Sequence, residues 1–323
     1  MHVGTQGVPL NRESLEYLKR HAVDHIAGWP AQWSEATLVS DLGRAKEFCA
    51  KFGISLDVAE QPRLHQPPIS ASALGKSPER DREIDYLHKV IQACAKNGIP
   101  SFKYIIRILF EVRTEPTPGR GGALYSTWRW KDVKDNDKLT EAGRVTGDMY
   151  WERIAYFLDR VIPVCNEYKI RAQGHPHDPG VPPAGYRGVD RVLGTVEGLK
   201  RFVSIQESPY HGLNFCVGTV AEMLRNPARE IHDVIRYFGK RKKIFNVHFR
   251  NIVGGRDDFH EVYPDNGDMN MIEVARTLWE TGYPYMLMPD HMPRHADDPD
   301  YRQAFAFGYG YIKAAIQALE TLG

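Results

Sequence analysis

A parallel (β/α)8 barrel of the TIM type is the fold class this chain predicts, and three observations predict it. Eight short β-like runs alternate with amphipathic helical stretches over 323 residues. Glycines close several of the helical stretches just before the next strand. The last four strand-like runs each deliver a metal-capable side chain at or near their C-terminal ends: His175, Cys216, His248 and Asp290. In a parallel barrel all strand C-termini open on one face, so ligands distant in sequence meet there.

Taken in order, the strand-like runs are His2–Thr5, Val23–Ala27, Ile54–Ala59, Phe102–Ile106, Ile170–Gln173, Leu213–Val217, Ile244–Phe249 and Tyr285–Met288. The first connection, Arg12–His21, is short but compatible with a helix. Longer helical periodicity covers Ser34–Phe52, Glu79–Asn97, Gly147–Tyr168, Thr195–Ile205, Val220–Lys240, Met271–Thr281 and Tyr301–Leu322. Ser77-Pro78 followed by Glu79 and Asp81 is a helix start, and Gly53, Gly98 and Gly282 follow helix ends. The expected organisation is therefore a single barrel domain over residues 1–323. One stretch breaks the repeat: Leu109–Thr146, after the fourth strand, holds Pro116, Pro118, Gly119, Gly121, Gly122, Trp128 and Trp130. An inserted βα loop of that length lies on the catalytic face, and 109–146 is expected to be a lid over the site. Its aromatic part, Leu124–Trp130, is a candidate contact between copies in a homo-oligomer.

Lys plus Arg number 42 and Asp plus Glu 41, so the chain has no electrostatic footprint for nucleic acid or an anionic membrane. There is no continuous apolar run long enough to span a bilayer and no secretory pattern, and a cytoplasmic enzyme acting on a small polar ligand is the expectation. The four cysteines show no CxxC spacing, which argues against a zinc knuckle or a disulfide framework. Cys49, Cys94 and Cys165 sit in helical patterns as core thiols. Cys216 stands apart, inside a strand-like run between Gly212 and Gly218.

Two imidazoles, a thiolate and a carboxylate suit a borderline divalent ion rather than Ca²⁺ or Mg²⁺. Each residue alone also has an ordinary structural role, as buried thiol, core imidazole, loop residue or cap. Four of them at the ends of strands five to eight point to one metal site.

These residues carry a resemblance. His175-Pro-His-Asp-Pro, Gly212-Leu-Asn-Phe-Cys-Val-Gly, Val247-His-Phe-Arg-Asn, Phe259-His-Glu, Gly267-Asp-Met-Asn-Met and Pro289-Asp-His resemble the ordered motifs of the mannonate dehydratase family. Glu79-Arg-Asp-Arg, Asn97-Gly-Ile and Arg113-Thr extend the likeness upstream, so it covers the chain from the third strand onward. The resemblance implies His175, Cys216, His248 and Asp290 as ligands of a catalytic Mn²⁺ or Fe²⁺. It also implies dehydration of a sugar acid, D-mannonate or a related aldonate, to a 2-keto-3-deoxy acid. The chain departs from the family pattern at His177, Pro264, Asn270 and Met292-Pro293, and at Gly4-Thr5-Gln6, where the family has an Arg-Trp-Tyr type of sequence. The departures touch neighbours of the ligands, not the ligands.

His291, next to Asp290, is the first candidate for proton transfer, because imidazole titrates near neutral pH; it also suits a hydrogen bond that orients Asp290. Tyr301 matches a tyrosine that the family places shortly after the Asp-His motif. Arg250 lies two residues past His248, on the same face by strand periodicity, and is expected either to clamp the substrate carboxylate or to pair with Glu261 in the barrel rim. Arg113, by resemblance, His177, by proximity to His175, and Glu261 are substrate-contact candidates. Two other readings fit the same barrel: a metal-dependent sugar isomerase or epimerase of the xylose-isomerase-like class, which favours carboxylate-rich sites, and a nonenzymatic barrel that binds a sugar acid.

Overall fold

The computed structural model describes residues 1–60 and 69–322. Among them the chain forms strands β1 (His2–Thr5), β2 (His25–Gly28), β3 (Ser55–Ala59), β4 (Ser101–Tyr104), β5 (Thr114–Pro118), β6 (Leu124–Arg129), β7 (Arg171–Gly174), β8 (His211–Cys216), β9 (Ile244–His248), β10 (Asn251–Gly255), β11 (Asp258–Val262) and β12 (Met286–Met288). The helices are α1 (Arg12–Arg20), α2 (Leu38–Ala50), α3 (Ala71–Leu74), α4 (Glu79–Lys96), α5 (Gly147–Tyr168), α6 (Val196–Ser204), α7 (Val217–Ala221), α8 (Pro227–Lys240), α9 (Met271–Glu280) and α10 (Arg302–Leu322). Eight strands close into a parallel barrel in the order β1-β2-β3-β4-β7-β8-β9-β12, and β12 pairs with β1 to complete it. The eight strands expected from the sequence are these eight, with ends displaced by at most two residues.

Local sequence sets the helix boundaries. Asn11 accepts the Ser14 N–H at 2.9 Å ahead of α1, Thr195 accepts the Gly198 N–H ahead of α6, and Asn270 accepts the Ile272 and Glu273 N–H groups ahead of α9. The stretch Val220–Lys240 expected as one helix is two. Proline lacks a backbone N–H and disfavours helical conformation in the residue before it, so the chain breaks before Pro227 and restarts with that proline at the head of α8. In α8, Ile231, Val234, Ile235 and Phe238 recur at helical spacing and are buried against the barrel. Each such burial contributes roughly 1.5–3 kcal/mol.

The segment 109–146 holds more order than a loop. β5 and β6 pair antiparallel, β6 pairs with β11, and β11 with β10, giving a four-stranded sheet in the order β10-β11-β6-β5. The aromatic stretch within it is largely spent inside the chain, since Tyr125 and Trp128 are buried and Trp128 packs edge-on against Tyr186. Of the residues expected at a subunit contact, Leu124 is exposed. No helix among the described residues is long and apolar enough to cross a membrane.

Candidate functional site

Strand side chains alternate between faces with a period of two, so positions two apart share a face. Inside the barrel, Gln173 donates to Ser101 Oγ at 2.9 Å and Asn246 donates to Asn214 Oδ1 at 2.6 Å. Two residues further toward the C-terminal ends stand Lys103, His175, Cys216 and His248. The same parity carries Gly4 to Gln6, Ala27 to Trp29, Val58 to Glu60, and Met288 to Asp290. All eight strands thus aim one inward residue at the same mouth. A cavity of about 430 Å³ opens there, lined by Gln6, Trp29, Glu60, Lys103, His175, His248, Asp290 and His291 among others.

His175, Cys216 and His248 each offer a ligand atom within 4.8 Å of the others. Asp290 closes the group: its Oδ2 lies 3.3 Å from His248 Nδ1 and 3.7 Å from Cys216 Sγ. Burial holds both imidazoles below their ordinary value, and hence neutral with a lone pair free. His175 Nδ1 makes a 2.7 Å contact with the Pro176 carbonyl, which fixes a tautomer with Nε2 unprotonated. His248 Nε2 faces Gln6 Oε1 at 2.9 Å, while its buried Nδ1 has no hydrogen-bond partner among the described residues. Burial pushes the Cys216 thiol up to about 12, so a thiolate there needs an adjacent cation. An orphaned imidazole nitrogen, a second neutral imidazole, a thiol and a carboxylate around one point fit a divalent transition metal. Cys216 is also the last residue of β8 and caps α7 by accepting the Thr219 N–H.

Behind this group lies a buried ion network. Arg250 Nη2 donates to Asp178 Oδ2 at 2.8 Å and Thr219 Oγ1 at 2.7 Å, and stands 3.0 Å from Glu222 Oε1. Its Nη1 donates to Glu261 Oε1. A Cβ on Gly218 would meet Arg250 Nε at 2.3 Å, so only glycine lets the guanidinium pass so close to α7. Arg113 Nη2 pairs with Asp178 Oδ1 at 2.6 Å and with the same Glu261 oxygen. Burial and the neighbouring Asp178 raise the Glu222 carboxyl well above the usual range, which leaves it protonated and uncharged. Asp178 is held well below that range, because Arg113 and Arg250 outweigh its burial.

His291 Nδ1 lies 2.9 Å from Glu261 Oε1. Burial alone would lower this imidazole, but Asp290 and Glu261 outweigh it and raise it to about 9. In that state Nδ1 donates to Glu261, and Nε2 is the nitrogen left to serve the cavity. His291 also sits at φ +41, in the left-handed region that costs a non-glycine residue of order 1–3 kcal/mol.

Several sequence expectations change. β9 ends at His248 and the chain turns into β10, so strand periodicity no longer places Arg250; its side chain is fully buried in the ion network, where it makes the second of its two expected contacts, with Glu261, rather than on a cavity wall. Glu261 lines the adjoining cavity, of about 620 Å³, but its Oε1 already serves Arg113, Arg250 and His291. His177 turns away from both cavities: Nε2 meets the Ile106 carbonyl at 2.8 Å and Nδ1 accepts the Leu193 N–H. Arg113 and Tyr301 line the second cavity together with His291. Sequence reasoning missed Gln6, Glu60, Lys103 and Asp178. Lys103 Nζ donates to Glu60 Oε1 at 2.5 Å and to Gln6 Oε1 at 2.7 Å, and Gln6 donates to Asp290 Oδ1 at 3.1 Å. Counting by twos from Ser101 and Gly4 points to Lys103 and Gln6.

Fold and site define a (β/α)8 barrel with its polar centre at the strand C-termini, the arrangement of barrel enzymes. A family model described as D-mannonate dehydratase (UxuA) matches residues 124–323. The chain belongs to the mannonate dehydratase family, a family of hydro-lyases. It is 29% identical to the mannonate dehydratase of Thermotoga maritima, over 88% of this chain and 84% of that one. It is 27% identical to the mannonate dehydratase of Shouchella clausii, over 93% and 87%. The crystal structure of mannonate dehydratase from Streptococcus suis serotype 2 superposes with a TM-score of 0.82 at 22% identity, covering 98% of this chain and 93% of that one. A xylose isomerase domain protein from Alicyclobacillus acidocaldarius shares the fold at a TM-score of 0.68 and 12% identity, with 98% of each chain covered.

Proposed function

We propose that this protein dehydrates an aldonate, D-mannonate or a stereochemical relative, to the corresponding 2-keto-3-deoxy acid. The observation that carries the reading is the meeting of His175, His248, Asp290 and His291 on one cavity, with Cys216 buried beside the first three. A Mn²⁺ or Fe²⁺ ion held by those four residues would supply Lewis acidity toward the substrate's carboxylate and C2 hydroxyl. The chain's own residues do the rest. The proton on C2 leaves, the C3 hydroxyl departs as water after taking a proton, and the resulting enol tautomerises to the ketone. His291, with Nδ1 held by Glu261, gives its Nε2 proton to the departing hydroxyl. Tyr301, on the wall of the adjoining cavity, acts as the base in its phenolate form, taking the C2 proton on its oxygen and then passing it to solvent. Lys103 is the buried cation on the opposite wall and offsets negative charge that builds on the deprotonated acid. Arg250 acts through others, holding Glu261 and Asp178 in place. Arg113 and Ser126, joined at 3.1 Å, line the second cavity from either side of the β5–β6 hairpin, which serves as the roof and lid of the site.

The changes at Gly4-Thr5-Gln6 bear on which aldonate is accepted, because Gln6 touches both Asp290 and His248. Incubating metal-reconstituted protein with a panel of aldonates tests the reading. Release of a 2-keto-3-deoxy acid from at least one of them is the expected result. An isomeric sugar acid, or binding without turnover across the panel, overturns it.

A further inference from the structure

We propose that the opposite, N-terminal mouth of the barrel carries a second metal site, formed by His2, His25 and Asp57, that takes a divalent ion of the Zn²⁺ class. His2 and His25 start β1 and β2, Asp57 is the third residue of β3, and a ligand atom from each lies within 4.8 Å of the others. His25 Nδ1 is 2.6 Å from Asp57 Oδ2, and His2 Nε2 is 3.8 Å from the same oxygen. The two imidazoles stack with centroids 3.6 Å apart.

The backbone is shaped for this meeting. His25 pairs with Ser55 and Ile26 with Leu56, but Ala27 pairs with Val58, so Asp57 is the extra residue of a β-bulge. A bulge re-aims a side chain that regular pleating would send elsewhere. Its carboxylate is then steadied by Ser55 Oγ, which donates to Oδ1, and its carbonyl accepts from Ser101 Oγ at 2.8 Å. A plain His–Asp hydrogen bond would need His25 alone. His2 is held in the cluster as well, yet among the described residues its ring forms no hydrogen bond.

Two nitrogens and one carboxylate oxygen disfavour Ca²⁺ and Mg²⁺ and suit Zn²⁺, Ni²⁺ or Cu²⁺. Ligands about 2.0–2.2 Å from such an ion stand roughly 3–3.6 Å apart, so the present contacts bracket the required spacing. The ion would replace the proton shared by His25 and Asp57 and release it to solvent. At 31%, 29% and 23% side-chain exposure the cluster keeps a path to water, which fills the remaining coordination positions. The N-terminal face of such barrels serves stability rather than chemistry. The ion therefore staples three strands, and the proposal rests on no part of the dehydratase reading.

The test is titration of chelator-stripped, full-length protein with Co²⁺, followed by absorption and equilibrium dialysis. The wild-type chain is expected to bind two equivalents, one showing a thiolate-to-cobalt band from Cys216 and one without it. In a His2→Gln/His25→Gln variant, and in the milder Asp57→Asn, the second equivalent should vanish while the thiolate band stays. Zn²⁺ beyond the first equivalent should raise the thermal midpoint of the wild type and leave that of the variants unchanged. A wild type without a second equivalent, or variants that keep it, overturns the proposal. Failure of the dehydratase reading would show separately, as a missing thiolate band.

Discussion

The two mouths of this barrel use the same ingredients, histidine and carboxylate, and burial makes them different objects. At the C-terminal mouth, Arg250, Asp178 and Glu261 are almost wholly withdrawn from water, and each charge survives only because a partner stands against it. At the N-terminal mouth, His2, His25 and Asp57 stay a quarter to a third exposed, and solvent screens whatever they do to one another. The comparison teaches that reach of solvent, not residue type, decides whether a charged cluster dominates stability.

That difference can be broken in stages. The largest effect belongs to His291→Gln: kcat on the best aldonate should fall by about 100- to 10,000-fold with the fold retained. Activity within tenfold of wild type would remove His291 from the chemistry. Next comes Arg250→Met, which leaves Arg113 alone to neutralise the buried Asp178 and Glu261 and should lower unfolding stability in urea by about 3–5 kcal/mol. A loss below about 1 kcal/mol would mean that water reaches the network. Acid sharpens the comparison from below. His211 begins β8, and burial lowers it from its ordinary 6.5 to about 4, so it is neutral in the fold. The unfolded chain binds that proton more readily, so this contribution to stability is complete above pH 6.5 and disappears as the pH falls from 6.5 through 4. Urea midpoints measured at pH 8 and pH 5 should show the drop, and His211→Asn should flatten it. The smallest effect is expected of Asp57→Asn in metal-free protein: less than about 1 kcal/mol, as for other solvent-reached pairs. A much larger loss would place the two mouths on an equal footing.

The barrel was legible in the sequence because its strands are short apolar runs between strongly periodic helices, and the donor residues because each ends such a run. Arg250 was legible as a partner of Glu261, which it meets, but not in its position, which was counted along a strand that ends at His248. Asp178 hides in a proline-flanked turn, where an aspartate reads as a cap; only the arrival of Arg113 and Arg250 from 65 residues upstream and 72 downstream reveals it. The β10–β11 hairpin carried a local sign in Gly254-Gly255 before Arg256-Asp257, but its partner strands lie more than 120 residues earlier, beyond the reach of periodicity. Gln6 and Lys103 were within reach of the period-two count and lacked a motif to draw attention to them.

The four-stranded sheet joins β5 and β6, early in the chain, to β10 and β11, late in it, and Arg113, just before β5, meets Glu261 in β11. Pairings of such high sequence separation form slowly, because the loop between them must close before they are rewarded. Most neighbouring strands of the barrel are closer in sequence, although its closure pairs β1 with β12 and spans nearly the whole chain. A nascent chain can therefore assemble most of its staves and still lack the carboxylate that fixes His291. A chain interrupted before residue 258 lacks Glu261, Asp290 and His291 alike, so the polar centre is completed only by the last part of the chain.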